Sequence, residues 1–437
     1  MGRFLMTMSS RARPIAFDVT HLVSRLNRHA MTGIDRVDII YARYLVENQL
    51  IDCGVHYGLR NPHIHSCNRV RRLTAEFVSK IRESDEEPLC QEWGSLRAWL
   101  TGEAAVATAK FGIVNAHRRK HEGWQAFLRQ SILRVVHDPG QRVPDRAIYL
   151  NVAQSAFEFH RFFHWLQRRP DVAPVFLVHD LLPLDCPEFF RHGYQERFKL
   201  RVDTIVRHAR ALITTTATVR DRLIEEYGMR KVIAPPIHVQ PLPSPLGGAR
   251  GPDDADVTLS RIPYFVMIAT IEPRKNHQTI LHAWRSLPSS VRPKLVLVGV
   301  SGWSNEQILS LLDHSPALAD CVRHVSGLPR RAMRQLIANS RAVLLPSFAE
   351  GFGLPVVEAL SLGTPAIISD ISVFREVSQG AAHFVSPIDG LGWAGIISEF
   401  ARENSSKRIE AIRNARTFLV TNEQSYFYGI LEFLNSI

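Results

Sequence analysis

Glu350-Gly351-Phe352-Gly353-Leu354-Pro355, followed by Glu358, is the run of this chain whose residue types and spacing most suggest chemistry. An apolar strand pattern ends at Leu345, and Pro355 suits the first turn of a helix, where its missing N–H is not needed. A glycine loop of this kind lets a ligand approach bare backbone, and the helix behind it aims free N–H groups and a positive dipole end at an anion, phosphate first among them. A carboxylate beside phosphate would repel it, so Glu350 and Glu358 read as groups for hydroxyls, as in sugar or ribose recognition. A second run, Glu272-Pro273-Arg274-Lys275-Asn276, also follows a strand. Arg274 offers a bidentate fork and Lys275 a point charge, a pair suited to a diphosphate whose leaving charge grows as a bond breaks. Each run also has a plain structural reading: a turn with solvated acids at the first, a solvated basic pair at the second.

Both runs need strands to carry them. YFVMIAT (264–270), KLVLVGV (294–300), VRHVSG (322–327), RAVLLPS (341–347) and PAIIS (365–369) are short β-rich runs separated by helical patterns. Strands alternating with helices imply a parallel sheet covered on both faces. PIAFDV (14–19), RAIYLNV (146–152), PVFLVHD (174–180) and ALITTT (211–216) play the same part in the first half, with helical stretches over 34–47 and 188–208. The expected fold is therefore α/β, two Rossmann-like domains facing a central cleft, with the ligand outside the carboxyl ends of the strands. The boundaries read as an N-terminal domain over 1–243 carrying a basic, irregular insertion at about 60–145, a Pro- and Gly-rich linker over 244–262, a C-terminal domain over 263–420, and a last helix over 421–437.

Taken together, E-P-R-K-N and E-G-F-G-L-P-x-x-E in a two-lobed chain resemble the retaining glycosyltransferases of family 4, which have the GT-B fold. The resemblance is dense over 262–390 and extends to TGIDRV (32–37), VHDLLPLDCPEFF (178–190), ARALITTTATVRDRL (209–223) and GLPRRAMRQLIANSRAVLLPS (327–347), the last including Leu328 and resembling the stretch whose backbone meets the nucleotide base. It implies that the first domain binds acceptor and the second a nucleotide sugar, and that the last helix, QSYFYGILEFLNSI, crosses back onto the first domain. By position, Glu358 would bind ribose hydroxyls, Glu350 a hydroxyl of the donor hexose, and Arg274 and Lys275 the diphosphate. Phe352, Gly353 and Leu354 would offer backbone amides, Gly33 would allow close approach from the other lobe, and His179 would hydrogen-bond the donor sugar near the reacting carbon. Many family members have two adjacent glycines where this chain has Thr32-Gly33, and a histidine ending a strand is as often a structural residue. The implied activity is transfer of a hexose, mannose from GDP-mannose on the HDLLPLDCPE and EPRKN stretches, to a lipid-linked or growing glycan in bacterial surface or exopolysaccharide synthesis.

Composition narrows the partners. The chain has 437 residues, a formal net charge of +11 and 45% hydrophobic residues, enough apolar material for two packed domains and against disorder. Residues 1–250 carry 36 Lys and Arg against 25 Asp and Glu, whereas 251–437 carry 17 of each, so the whole excess lies in the first half. A diphosphate takes few of those cations; the rest suit an anionic membrane surface and a phosphorylated lipid carrier. HRRKHEGWQAFLRQSILRVV (117–136) patterns as a basic amphipathic helix, membrane-facing or core-facing. No apolar run approaches the roughly 18–20 residues of a membrane span, and the five scattered cysteines lack any C-x-x-C spacing. The expected location is the cytoplasm, peripheral on the inner face of the membrane. Asp254-x-Asp256 has a metal-binding spacing but follows a linker rather than a strand, so no metal and no other cofactor is expected. Two other functions fit the same residues less well: a sugar-nucleotide epimerase on this fold, separable by product analysis, and a nucleic-acid-binding module, for which no recognition motif appears.

Overall fold

The computed structural model describes residues 13–25, 33–58, 62–86, 91–103 and 142–437, without the side chains of 80–86. The 117–136 segment and Thr32 lie outside them. The described strands form two sheets. The first runs in the order β3-β2-β1-β4-β5-β6-β7, where β1 is Ile15–Asp18, β2 Ile51–Tyr57, β3 Pro62–Ser66, β4 Ile148–Asn151, β5 Ala173–Val178, β6 Ala211–Thr214 and β7 Ile237–Val239. The second runs β10-β9-β8-β11-β12-β13, where β8 is Tyr264–Ile268, β9 Lys294–Val298, β10 Val322–Val325, β11 Val343–Leu345, β12 Ala366–Ser369 and β13 His383–Val385. All pairings are parallel except β2 with the edge strand β3. The central strands are apolar along their whole length because helices cover both faces, and β5 and β8 are buried almost throughout.

These are the two Rossmann-like domains expected. In each sheet the order reverses beside the first strand, between β1 and β4 and between β8 and β11, and at such switch points the loops part and leave a crevice. The described part of the insertion expected over about 60–145 has regular structure. It contains β3 and the helices Cys67–Glu86 and Gln91–Thr101. Val70, Thr74 and Phe77 bury one face of the first helix, a period that its many charged neighbours obscure in the sequence. Trp93, Leu96, Trp99 and Leu100 bury the second. That second helix reaches the other lobe: Lys294 Nζ donates to the carbonyls of Trp99 (2.5 Å) and Leu100 (3.0 Å), and Arg97 pairs with Asp256.

Nor is the stretch read as linker an open tether. Leu246 is buried, and the Arg334 guanidinium donates to the carbonyls of Leu246, Gly248 and Ala249. Beyond the second sheet the helix Glu423–Ser436 lies on the first-lobe helix Gly33–Glu47. Phe427 stacks on Tyr44 with ring centres 3.8 Å apart, the hydroxyls of Tyr41 and Tyr426 are 2.8 Å apart, and Arg43 pairs with Glu423.

Candidate functional site

The loops after β8 and β11 meet at the second switch point. In the first, Pro273–Lys275 forms one tight turn and Asn276 follows with φ 56°. Its amide nitrogen Nδ2 donates to the carbonyls of Pro346 (3.0 Å) and Pro387 (2.8 Å), tying this loop to the second one and fixing the start of helix His277–Ser286. Arg274 and Lys275 therefore leave a rigid corner and converge on Glu350. Arg274 Nη1 donates to Glu350 Oε2 at 2.8 Å and to the Ala349 carbonyl at 2.7 Å; Lys275 Nζ donates to Glu350 Oε1 at 2.5 Å, and the Ser347 hydroxyl to the same oxygen at 2.8 Å. Glu272 accepts from Arg274 Nη2 at 2.9 Å.

The electrostatics follow from burial plus pairing. Burial alone pushes the Glu350 carboxyl up, but Lys275 and Arg274 outweigh it and hold the group at about 2, so it is ionised at neutral pH. Lys275 lies below the ordinary lysine value because burial and the neighbouring Arg274 both oppose its charge. Glu272, buried beside the same cations, and Asp180, partly buried near them, are both raised by desolvation. The cluster is thus a pair of cations whose charge is spent on protein carboxylates, a site that a phosphate-bearing ligand would enter by sharing them.

Glycine geometry brings the first lobe against this loop. A Cβ at Gly351 would lie 2.5 Å from the His179 carbonyl oxygen and 2.9 Å from Asp180 Cβ. Gly353 has φ +94° and opens the Leu354–Ser361 helix, whose first turn contains Pro355. Phe352 is buried, and a Cβ on Gly33 would touch Leu354 Cδ1 at 3.6 Å. Gly33 is the first described residue of its helix, and the residues just before it lie outside the described ones. Glu358 lies one turn into its own helix, buried, and its Oε1 accepts from Arg36 Nη1 of the first lobe at 2.6 Å. Leu328 sits between β10 and helix Arg330–Ala338, partly buried against the core.

His179 is brought to the cleft but bonds none of these side chains. Its Nε2 lies 2.8 Å from the Val152 carbonyl, which makes Nε2 the protonated nitrogen, and burial lowers its pKa to about 4. The imidazole is neutral at pH 7. Asp254 and Asp256 are engaged otherwise than as solvated acids. Asp254 is buried against Arg334 (2.6 Å), and Asp256 caps the short helix Val257–Arg261 while pairing with Arg97. Among the described residues, no group of three or more His, Cys, Asp or Glu side chains is placed to hold a metal ion.

Several residues in this region have no local signature. Arg36 lies within a quoted motif, yet its partner Glu358 stands across the cleft, whereas Glu272 and Asp180 are bonded within their own loops, to Arg274 and to the Leu182 amide. Glu376 accepts from the Ala217 and Thr218 amides at the N-terminus of helix Ala217–Met229, a further link between the lobes. At the first switch point Asp18 is buried, is raised by burial to about 7, and accepts from the Tyr149 hydroxyl at 2.7 Å. Beside it His21 stands 3.3 Å from both Asp35 and Asp38.

Residues 257–416 match the family model of glycosyl transferases group 1. A serotype-specific mannosyltransferase, WbdA, of Escherichia coli is 32% identical over 224 residues, which are 48% of this chain and 28% of that protein. The chain thus spans little more than a quarter of that relative. The O-antigen chain mannosyltransferase B of Escherichia coli is 25% identical over 399 residues, 88% of this chain and 91% of the other. Among solved structures, Anabaena Alr3699/HepE in complex with UDP-glucose superposes with a TM-score of 0.53 at 19% identity, covering 66% of this chain and 79% of that one. Sucrose-phosphate synthase from Thermosynechococcus elongatus does so with 0.51 at 17% identity, covering 75% and 82%. The chain has the two-lobed GT-B fold of these glycosyltransferases.

Proposed function

We propose that the chain is a hexosyltransferase that moves a hexose from a nucleotide diphosphate to a lipid-linked or growing glycan in surface polysaccharide synthesis. The observation that carries this reading is the Arg274–Lys275–Glu350 cluster at the switch point of a lobe that matches the group 1 glycosyl transferases. The mannosyltransferase names of both Escherichia coli relatives support mannose, with GDP-mannose as donor, and the family 4 resemblance supports retention of anomeric configuration.

Each residue then has a defined task. Arg274 and Lys275 hold the diphosphate and stabilise the charge that grows on it as the glycosidic bond breaks, aided by the amides of Phe352, Gly353 and Leu354 at the helix start. Glu350, ionised, accepts from a hydroxyl of the hexose, and Glu358 from the ribose hydroxyls once Arg36 shares it. Leu328 lies against the base through its backbone, and Gly33 keeps the opposing lobe close. His179, neutral and with Nε2–H committed to Val152, presents Nδ1 as an acceptor for a donor-sugar hydroxyl. The two basic side chains and helix terminus supply the charge that a divalent metal would otherwise provide, so transfer proceeds without one. The basic excess of the first half supports a location on an anionic, cytoplasm-facing membrane surface beside the carrier.

The reading is tested by measuring which nucleotide sugars raise the melting temperature. A donor at about 100 times its Kd stabilises the native state by about 2.7 kcal/mol. GDP-mannose is expected to do so, and R274A/K275A is expected to abolish the effect. No shift with any nucleotide sugar would reject the site.

A further inference from the structure

On the face of the second lobe away from the cleft, a cavity of about 350 Å³ opens where the C-terminal ends of helices Arg330–Ala338 and Leu354–Ser361 meet the helix Ser406–Arg416. That is the size of a small-molecule pocket, roughly 300–1,000 Å³. Its floor is apolar, from Leu360, Leu362, Ile412 and Phe418, and three arginines, Arg250, Arg408 and Arg416, line it. A fourth, Arg341, is buried beside Ser340 of the wall, and its Nε has no hydrogen-bond partner.

Arg274, Arg334, Arg375 and Arg402 of this lobe each pair with a carboxylate, but among the described residues none of the four around the cavity forms an ion pair. Arg292 of the same lobe is likewise held by backbone carbonyls, so absence of an ion pair is not special to the cavity; what is particular here is that several such arginines gather around one hollow. Arg408 donates Nε to the Arg341 carbonyl at 3.2 Å, and Arg250 donates Nη2 to Asn339 Oδ1 at 3.2 Å. Asp254 is bonded to Arg334 and acts on Arg250 only through space, as Glu403 does on Arg341. Burial first, and then the neighbouring Arg341, lower Arg408 to about 10. The converging helix C-termini carry negative dipole ends, which offset part of this charge, but a half-charge at each is less than the guanidiniums present.

We propose that this cavity is a second ligand site, for a small molecule that joins a phosphate group to a compact apolar body. The phosphate sits between Arg408 and Arg416 and the apolar part on Leu362, Ile412 and Phe418. The site is separate from the donor cleft and goes beyond the proposed transfer reaction.

Phenyl phosphate is the probe, titrated calorimetrically into the full chain carrying R274A/K275A, which removes the cations of the cleft. Binding is expected to persist there, to fall about tenfold on adding R416Q (about 1.4 kcal/mol), and to exceed that of inorganic phosphate. Arg416 is exposed, so its replacement leaves the fold intact. R416Q is also made in the otherwise wild-type chain, with the cleft saturated by GDP, in case R274A/K275A does not fold. Phenyl phosphate binding that R416Q leaves unchanged, or that disappears when the cleft is blocked, would overturn the proposal. A third arm uses phosphatidylcholine vesicles with and without phosphatidylglycerol. Arg416-dependent binding to the anionic vesicles but not to phenyl phosphate would assign these arginines to a lipid headgroup and reject the small-molecule pocket.

Discussion

Replacing Glu350 by glutamine keeps the shape of the side chain and removes the one charge on which Arg274, Lys275 and Ser347 converge. The drop of its pKa from 4.5 to about 2 corresponds to about 3 kcal/mol of native-state stabilisation at about 1.36 kcal/mol per pH unit. A similar figure, about 3–5 kcal/mol, is typical of breaking a buried ion pair. The sign is fixed by the direction: the folded pKa is depressed, so the contribution is complete above 4.5 and is lost as pH falls from there towards 2. E350Q, having no proton to gain, is expected to be about 3 kcal/mol less stable than wild type near neutrality, with the gap narrowing below about pH 4.5. Urea unfolding across that range, followed by circular dichroism, measures both. Nucleotide binding should respond in the opposite sense. With their counter-ion gone, Arg274 and Lys275 are expected to hold GDP at least as tightly, while sugar transfer falls. A variant as stable as wild type at neutral pH, or a gap that stays constant into acid, would refute Glu350 as the counter-charge of this site.

Other expectations follow from the same structure. His56 and His277 are buried and lowered to about 3, so each resists protonation when folded. Their contribution is complete above pH 6.5 and is lost on acidification, at up to about 1.4 kcal/mol per pH unit each, and H277Q should flatten the slope of stability against pH between about 6.5 and 4. G351A, whose new methyl would meet the His179 carbonyl, is expected to cost about 1–3 kcal/mol and to weaken GDP binding in the same melting assay. F427A removes the stack on Tyr44 and should cost about 3–5 kcal/mol, read as a lower thermal midpoint. Binding to phosphatidylglycerol vesicles should weaken as salt rises, and charge-neutralising changes within residues 1–250 should weaken it more than equal changes in 251–437.

How much of this is legible in the sequence depends on range. The strands at 264–270, 294–300 and 341–347 and the loops after them are visible because a buried parallel strand is a continuous apolar run and its exit loop holds the chemistry. Arg274, Lys275 and Glu350 come from two such loops, so their meeting follows from the switch-point topology alone. The pairing of Arg36 with Glu358, 322 positions apart, leaves no local periodicity, and Arg36 reads simply as a polar residue of a helix. The same holds for Glu376 capping a helix of the other lobe. Strands β2 and β3 hide because polar and histidine residues, such as His56, His63 and His65, interrupt their apolar pattern. Asp254 and Asp256 look like linker acids until Arg334 and Arg97 arrive from distant segments.

The transfer itself is the most direct measurement. The protein, given GDP-mannose and a lipid-linked glycan acceptor in EDTA, should yield acceptor one mannose longer, detected by mass spectrometry, with an α linkage by nuclear magnetic resonance. R274A/K275A, shown folded by circular dichroism, should yield none. Extension at the wild-type rate by that variant, or conversion of the free nucleotide sugar to its epimer with no transfer, would contradict the function assigned to this cleft.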